Sequence, residues 1–246
     1  MTGIELPLAV FMIAALYGAV GHGGASGYLA ILALLGVNHQ TASTTALVLN
    51  LFVAGVSFIA YQRAGHFRPA LLAPLLITSV PFAFLGGLLK VSMPVYNILL
   101  ALALAAFALR MLAPRLQTLN EQPTETPALK ATLPMGAVLG LISGIVGVGG
   151  GIFLSPLMII RRWATPKVTS ATAAGFILAN SLAGLGGRLM QDAPILDGFP
   201  ALIVAGVLGG WLGSYLGARL APSPVLCRLL ALVLMIAACK LMLRLS

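Results

Sequence analysis

Apolar residues run in long blocks along this chain, and polar positions mark the gaps between them. The blocks fall at about 4–20, 24–36, 41–62, 67–90, 93–112, 133–147, 150–160, 168–190, 198–220 and 222–244. Those near 20 residues or longer can cross a hydrocarbon core about 30 Å thick as helices. The blocks 24–36 and 150–160 are too short to cross, and the blocks just before them are short as well. Each follows a glycine cluster, in 18-GAVGHGGASGYL-29 and 144-GIVGVGGGIFL-154. Glycine weakens a helix interior by about 0.5–1 kcal/mol relative to alanine, so each cluster predicts a break at membrane depth.

One interval is polar and irregular, 113-APRLQTLNEQPTETPALKAT-132, with Pro114, Pro123 and Pro127. It reads as a linker between a first repeat, 1–112, and a second, 133–246. The halves echo one another. Gly18, Gly21, Gly23 and Gly24 align with Gly144, Gly147, Gly149 and Gly150 at an offset of 126. Then 42-ASTTALVLNLFVAG-55 aligns with 171-ATAAGFILANSLAG-184 at an offset of 129, and 84-FLGGLLK-90 loosely echoes 208-LGGWLGSYLGAR-219. The predicted fold is an all-α polytopic membrane protein of two inverted repeats, each a glycine-broken helical hairpin followed by three transmembrane helices. Repeats of this kind are a common construction of secondary transporters.

Composition agrees. The chain of 246 residues is 60% hydrophobic and 8% charged, against about 25% charged in an ordinary soluble domain. The net charge of +9 lies mostly at the ends of apolar blocks, which argues for topology signals and against a nucleic-acid surface. If each glycine cluster is a hairpin tip, one side of the membrane collects Arg63, Arg68, Arg110, Arg115, Lys130, Arg161, Arg162, Lys167, Arg219 and Arg228. The other collects only Lys90, Arg188, Lys240 and Arg244. Treating each cluster as a kink in one long span makes the split nearly even. The positive-inside rule therefore favours hairpins, a cytoplasmic linker and both termini outside the cell membrane. Two short spans in place of a hairpin would give the same sidedness, so that choice stays open. No Lys or Arg precedes the first apolar block, so no removable signal peptide is predicted. Cys227 and Cys239 read as core thiols, not metal ligands.

The glycine clusters are the first candidate chemistry. Irregular backbone survives at membrane depth only against protein or a water-filled cavity. The half-helix after each cluster begins with free N–H groups and a partial positive charge, which suits an anion. Gly21, Gly23, Gly24, Gly147, Gly149, Gly150 and Gly151 are thus candidate substrate-binding positions around one central site. The ladder Gly209/Gly213/Gly217 reads instead as helix packing. Thr41, Ser43, Thr44, Thr45 and Asn50, with Thr169, Ser170, Thr172, Asn180 and Ser181 on the matching span, are candidate side-chain donors, of which Thr44, Asn50, Thr172 and Asn180 are assigned to the site. His22 interrupts the first cluster where the second has Val148, and it is a candidate binding or proton-carrying group, leaving proton coupling open. Arg188 and Lys90 lie near span ends and read as side chains snorkelling to the interface, with lining of an entry route as the alternative.

Other chemistry is unsupported. No phosphate-binding G-x-x-x-x-G-K-[ST] loop, no H-E-x-x-H and no acidic residue at membrane depth occurs. Neither an enzyme nor a cofactor or metal is expected. The implied partners are a small anion and the lipid bilayer, with a homodimer allowed by the glycine ladders. A secondary transporter and an anion channel both remain consistent.

The paired clusters GAVGHGGASGYL and GIVGVGGGIFLSPL, each followed by a hydroxyl-rich span containing AST or SAT, resemble the TauE/SafE family of sulfite exporters and anion permeases. The resemblance covers nearly the whole chain. It implies transport, with export the expected direction, of sulfur-containing anions such as sulfite, thiosulfate and sulfoacetate. Another small carboxylate or oxyanion is the alternative substrate class. His22, where the second half has valine, departs from strict symmetry of the site.

Overall fold

The computed structural model describes residues 4–89, 127–191, 195–196, 199–222, 224–226, 228–229, 231–232 and 235. The expected span 93–112, most of the linker and both cysteines lie outside them. The described residues are helical, without strands. In chain order the helices are α1 (Glu5–Gly18), α2 (Ala25–Leu34), α3 (His39–Arg63), α4 (Pro69–Leu88), α5 (Leu129–Val146), α6 (Gly151–Ile160), α7 (Pro166–Leu189) and α8 (Phe199–Tyr215). A π-helical turn, Leu216–Leu220, extends α8. Among the described residues, five helices are long and apolar enough to cross a membrane: Gln40–Arg63 within α3, α4, α5, α7, and α8 with its extension.

Local chemistry sets the boundaries. The Asn38 side chain accepts from Thr41 N at 2.9 Å and starts α3, and Thr165 Oγ1 accepts from Val168 N at 3.4 Å and starts α7. Pro69 and Pro166 occupy first-turn positions where no N–H is needed. The first helix of each hairpin ends in glycine. Gly147 closes α5 in the left-handed region at φ 76°, donating to Ser143 O at 2.9 Å, and Gly21, its counterpart after α1, has φ 72°. The helices that follow, α2 and α6, have 10 residues each and reach only about 15 Å.

In one place the expected boundary moves. The second repeat was read from 133 and its first block as 133–147, but α5 begins at Leu129. Lys130 and Thr132 interrupt the apolar pattern without interrupting the helix. The Thr132 hydroxyl donates back toward Ala128 O and Leu129 O, and Lys130 stays exposed at the helix start. The last four residues of the expected linker are therefore helical, and α5 reaches about 27 Å.

The helices pack through small residues. Gly136, Gly140 and Gly144 of α5 lie against Leu75, Ser79 and Ala83 of α4, in ascending register, so α4 and α5 run parallel. Gly209, Gly213 and Gly217 lie against Phe11, Ala15 and Ala19, so α1 and α8 also run parallel. By contrast, Phe58, Gly55, Asn50 and Leu47 of α3 meet Gly175, Leu178, Ser181 and Gly184 of α7 in descending register. These two equivalent helices are antiparallel. Exchanging the halves turns the α4–α5 contact into α8–α1, α4–α7 into α8–α3, and α2–α3 into α6–α7, and each of these is present. The central helices are α7 and α3, whose apolar windows are 78% and 61% buried against 33% for α4.

These directions gather Arg63, Arg68, Lys130, Arg161, Arg162, Lys167 and Arg219 at one end of the bundle. The His66 ring, in the α3–α4 turn, meets Ala218 O at 3.0 Å there. Arg188 is at the opposite end, in the last turn of α7.

The glycine seams leave no room for a side chain. A Cβ on Gly144 would strike Ala83 O and lie 2.7 Å from Gly87 N. Gly144→Val is expected to cost more than the 1–3 kcal/mol usual for overpacking, because the obstacle is backbone. Size-exclusion chromatography in detergent should show loss of the monodisperse peak.

Candidate functional site

In each hairpin a short second helix follows the glycine turn. In the first, the Gly24 and Gly27 backbones pack on Ile13, and the Tyr17 and Ser26 hydroxyls meet at 2.9 Å. The tips of the two hairpins reach past each other. Gly21 packs on the Ser170 backbone near the start of α7, and Gly147 packs on Ser43 near the start of α3. Because α3 and α7 are antiparallel, the tips lie toward opposite ends, and the residues after them overlap in the middle.

Asn50, fully buried, stands where they overlap. Its Oδ1 accepts from Ala25 N, in the first turn of α2, at 3.1 Å. Its Nδ2 donates to Ser181 Oγ of α7 at 3.4 Å. The two glycine clusters close on it from either side. A Cβ on Gly23 would strike Asn50 Oδ1, and one on Gly149 would lie 3.0 Å from Asn50 Nδ2 and 2.9 Å from Ser181 Oγ. One central amide therefore touches the first hairpin, the second cluster and both long helices.

His22, 2% exposed, ties the first tip to α6. Its Nδ1 lies 2.9 Å from Val20 O and its Nε2 3.3 Å from Ser155 Oγ. A small cavity beside it is lined by Tyr17, His22, Gly23, Gly24, Ala25, Ser26, Val148, Ile152 and Ile177. His22 and Val148, equivalent positions of the two repeats, both face this space. The lining combines hydroxyls, an imidazole and the first-turn backbone of α2, whose amides carry the positive end of the helix dipole. No carboxylate belongs to it, and no group of His, Cys, Asp or Glu among the described residues could hold a metal ion.

The structure brings together His22, Gly23, Gly24, Asn50, Gly149 and Gly151 of the expected set. Gly21 and Gly147 sit at the turns, against the neighbouring helices, away from the cavity lining. Gly150, with φ 76°, packs against Phe176 and Ser143. Asn180 donates from Nδ2 to Phe176 O at 2.8 Å, leaving Oδ1 buried without a hydrogen-bond partner. Thr44 and Thr172 each donate to the carbonyl one turn back, Gln40 O and Val168 O, both at 2.9 Å. The proton each would offer an anion is already donated. Thr44→Val and Thr172→Val should therefore keep anion flux within about threefold of the wild type, measured in vesicles.

Two participants escaped the sequence reading. Tyr17 and Ser26 look like ordinary apolar-block residues and reveal themselves only when the hairpin closes. Ser181, directly after Asn180, is the residue that meets Asn50. Arg188 is also corrected. It does not snorkel: it is 9% exposed, and its Nη2 donates to Ile145 O at 2.8 Å and Gly144 O at 3.2 Å, holding the carbonyl end of α5. A charge in the last turn of a span reads as interfacial until the end of α5 is known to lie beside it.

Comparison with known proteins agrees with this architecture. Residues 6–241 match the family described as sulfite exporter TauE/SafE. The chain is 36% identical over 241 residues to the probable membrane transporter protein y4hK of Sinorhizobium fredii (strain NBRC 101917 / NGR234), covering 97% of this chain and 98% of that one. It is 28% identical over 186 residues to the probable membrane transporter protein ORF9 of a Sinorhizobium species, covering 74% of this chain and 69% of that one. No solved structure matches. With its glycine-broken hairpins, long apolar helices and full-length match, the chain belongs to the sulfite exporter TauE/SafE family of membrane transporters.

Proposed function

We propose that the protein is a secondary transporter, working as an exporter, of small sulfur-containing anions such as sulfite, thiosulfate or sulfoacetate. The observation that carries this reading is the convergence of both glycine clusters on Asn50, beside a cavity with donors and no carboxylate. A dehydrated oxyanion needs N–H and O–H donors and no competing negative charge. The family supplies the substrate class. The antiparallel packing of α3 and α7 supports inverted repeats, and the gathering of arginines and lysines at one end supports a cytoplasmic linker in a cell membrane. Rocking of one repeat against the other would expose the central site to each side in turn. His22 is the buried imidazole available for proton coupling.

Flux into proteoliposomes, across a panel of sulfite, thiosulfate and sulfoacetate with and without a pH gradient, tests the reading. Saturable flux for at least one of them is expected. No flux of any would refute the substrate class, and flux that never saturates would indicate a channel.

A further inference from the structure

Arg188 raises a question that capping does not answer. Its guanidinium holds the carbonyls of Gly144 and Ile145 at the end of α5. The first repeat meets the same need differently. There the buried Tyr61 hydroxyl donates to Ala19 O at 2.5 Å, at the end of α1. Ala19 and Ile145 are aligned positions at the offset of 126, and Tyr61 and Arg188, two residues out of register in the alignment of α3 with α7, each donate to that carbonyl. A neutral phenol is thus sufficient to cap a hairpin helix at this site.

The charge of Arg188 therefore calls for its own reason. A buried guanidinium at membrane depth is costly unless paired, and such groups lie by default on substrate paths. Among the described residues no carboxylate contacts it, and its Nε is buried without a hydrogen-bond partner. It also stands against the charge pattern of the fold, at the end of the bundle away from Arg63, Arg68, Lys130 and Arg219. It lies on α7 two turns beyond Ser181, the partner of Asn50, and beside the last turn of α5, which leads into the second glycine cluster.

We infer that Arg188 supplies the positive charge that draws and holds the anion on its way between the Asn50 site and the membrane face where α7 ends. The opposite path passes neutral Tyr61, and the cations at that end, among them Arg63, Arg68 and Arg219, are exposed at the surface instead of buried beside a hairpin helix. The transporter is then electrostatically lopsided: an oxyanion binds more tightly from the Arg188 face than from the other. This inference rests on the anion-transport reading above.

The test transplants the device of the other repeat. Arg188→Tyr keeps a hydroxyl donor for Ile145 O and removes the charge, and Arg188→Lys keeps the charge. The full chain is reconstituted, right-side-out and inside-out vesicles are assayed separately with sulfite and thiosulfate, and melting of each variant is followed in detergent. Arg188→Tyr should melt near the wild type, raise KM about tenfold or more from the Arg188 face, and leave KM from the other face within about twofold. Arg188→Lys should stay within about threefold on both faces. Unchanged KM on the Arg188 face in folded Arg188→Tyr would overturn the inference. Loss of folded protein in both variants would do so too, because the guanidinium would then be an irreplaceable cap. Absence of saturable anion flux in the wild type would instead refute the transport reading itself.

Discussion

Asn50→Ala should lower anion flux about a hundredfold, the largest loss expected from any single side-chain truncation in this protein. A hundredfold corresponds to about 2.7 kcal/mol. Truncation strands Ala25 N, which donates to Asn50 Oδ1, and a buried unsatisfied amide costs about 1–3 kcal/mol on its own. It also removes Nδ2, which faces Ser181 and the second cluster. Asn50→Asp separates structure from binding. The carboxylate can still accept from Ala25 N, so the hairpin should stay docked, and melting in detergent should fall less than for Asn50→Ala. Yet it replaces a donor by a negative charge where the anion belongs. Flux by Asn50→Asp should therefore be at least as low as by Asn50→Ala. Recovery of flux in the aspartate variant would show that Asn50 only holds the hairpin.

The second large effect is expected at Gly150, the cap of α6. Its φ of 76° costs an L-residue about 1–2 kcal/mol, and a Cβ there would lie 2.9 Å from the Phe176 ring. Gly150→Leu adds overpacking of about 1–3 kcal/mol and must push the second cluster out of place. Flux should fall below detection while inserted protein is still recovered. Gly36→Ala is the control. Gly36 has φ 74°, but nothing lies within 4 Å of its Cβ position, so the same backbone strain arises without the collision. Gly36→Ala should transport like the wild type. Equal loss in both variants would mean that strain alone, and not displacement of the cluster, abolishes transport.

Much of the fold was legible because bilayer physics leaves few options. A block of about 20 apolar residues must be a helix, and a glycine cluster inside one must be a break, so α1 to α8 follow the apolar blocks closely. The boundary of α5 was missed because Lys130 and Thr132 break the apolar pattern without breaking the helix, which hydropathy cannot register. The convergence of Gly23, Gly24, Gly149 and Asn50 was legible as a candidate site because small and amide residues at membrane depth need a reason, whereas Gly21, Gly147 and Gly150 pack elsewhere. Thr44 and Thr172 looked equally polar, but a hydroxyl on a helix can satisfy itself one turn back, and sequence does not say whether it does. Tyr17 and Ser26 join the centre only once the first hairpin closes, and Ser181 only through its contact with Asn50, 131 positions away in the chain. Arg188 and Tyr61 share no residue chemistry, so their common role shows only once each is seen donating to an equivalent carbonyl.

The proposed transport needs one anion site between the hairpin tips, open to each side of the membrane in turn. Ser181, the buried partner of Asn50, reports on it directly. Ser181→Cys, placed in a chain carrying Cys227→Ser and Cys239→Ser, can be challenged with a small membrane-impermeant thiol reagent from either side of sealed vesicles. Labelling is expected from both sides, with protection from both by saturating sulfite or thiosulfate. Labelling from one side only, or labelling that neither anion slows, would contradict the proposed transport.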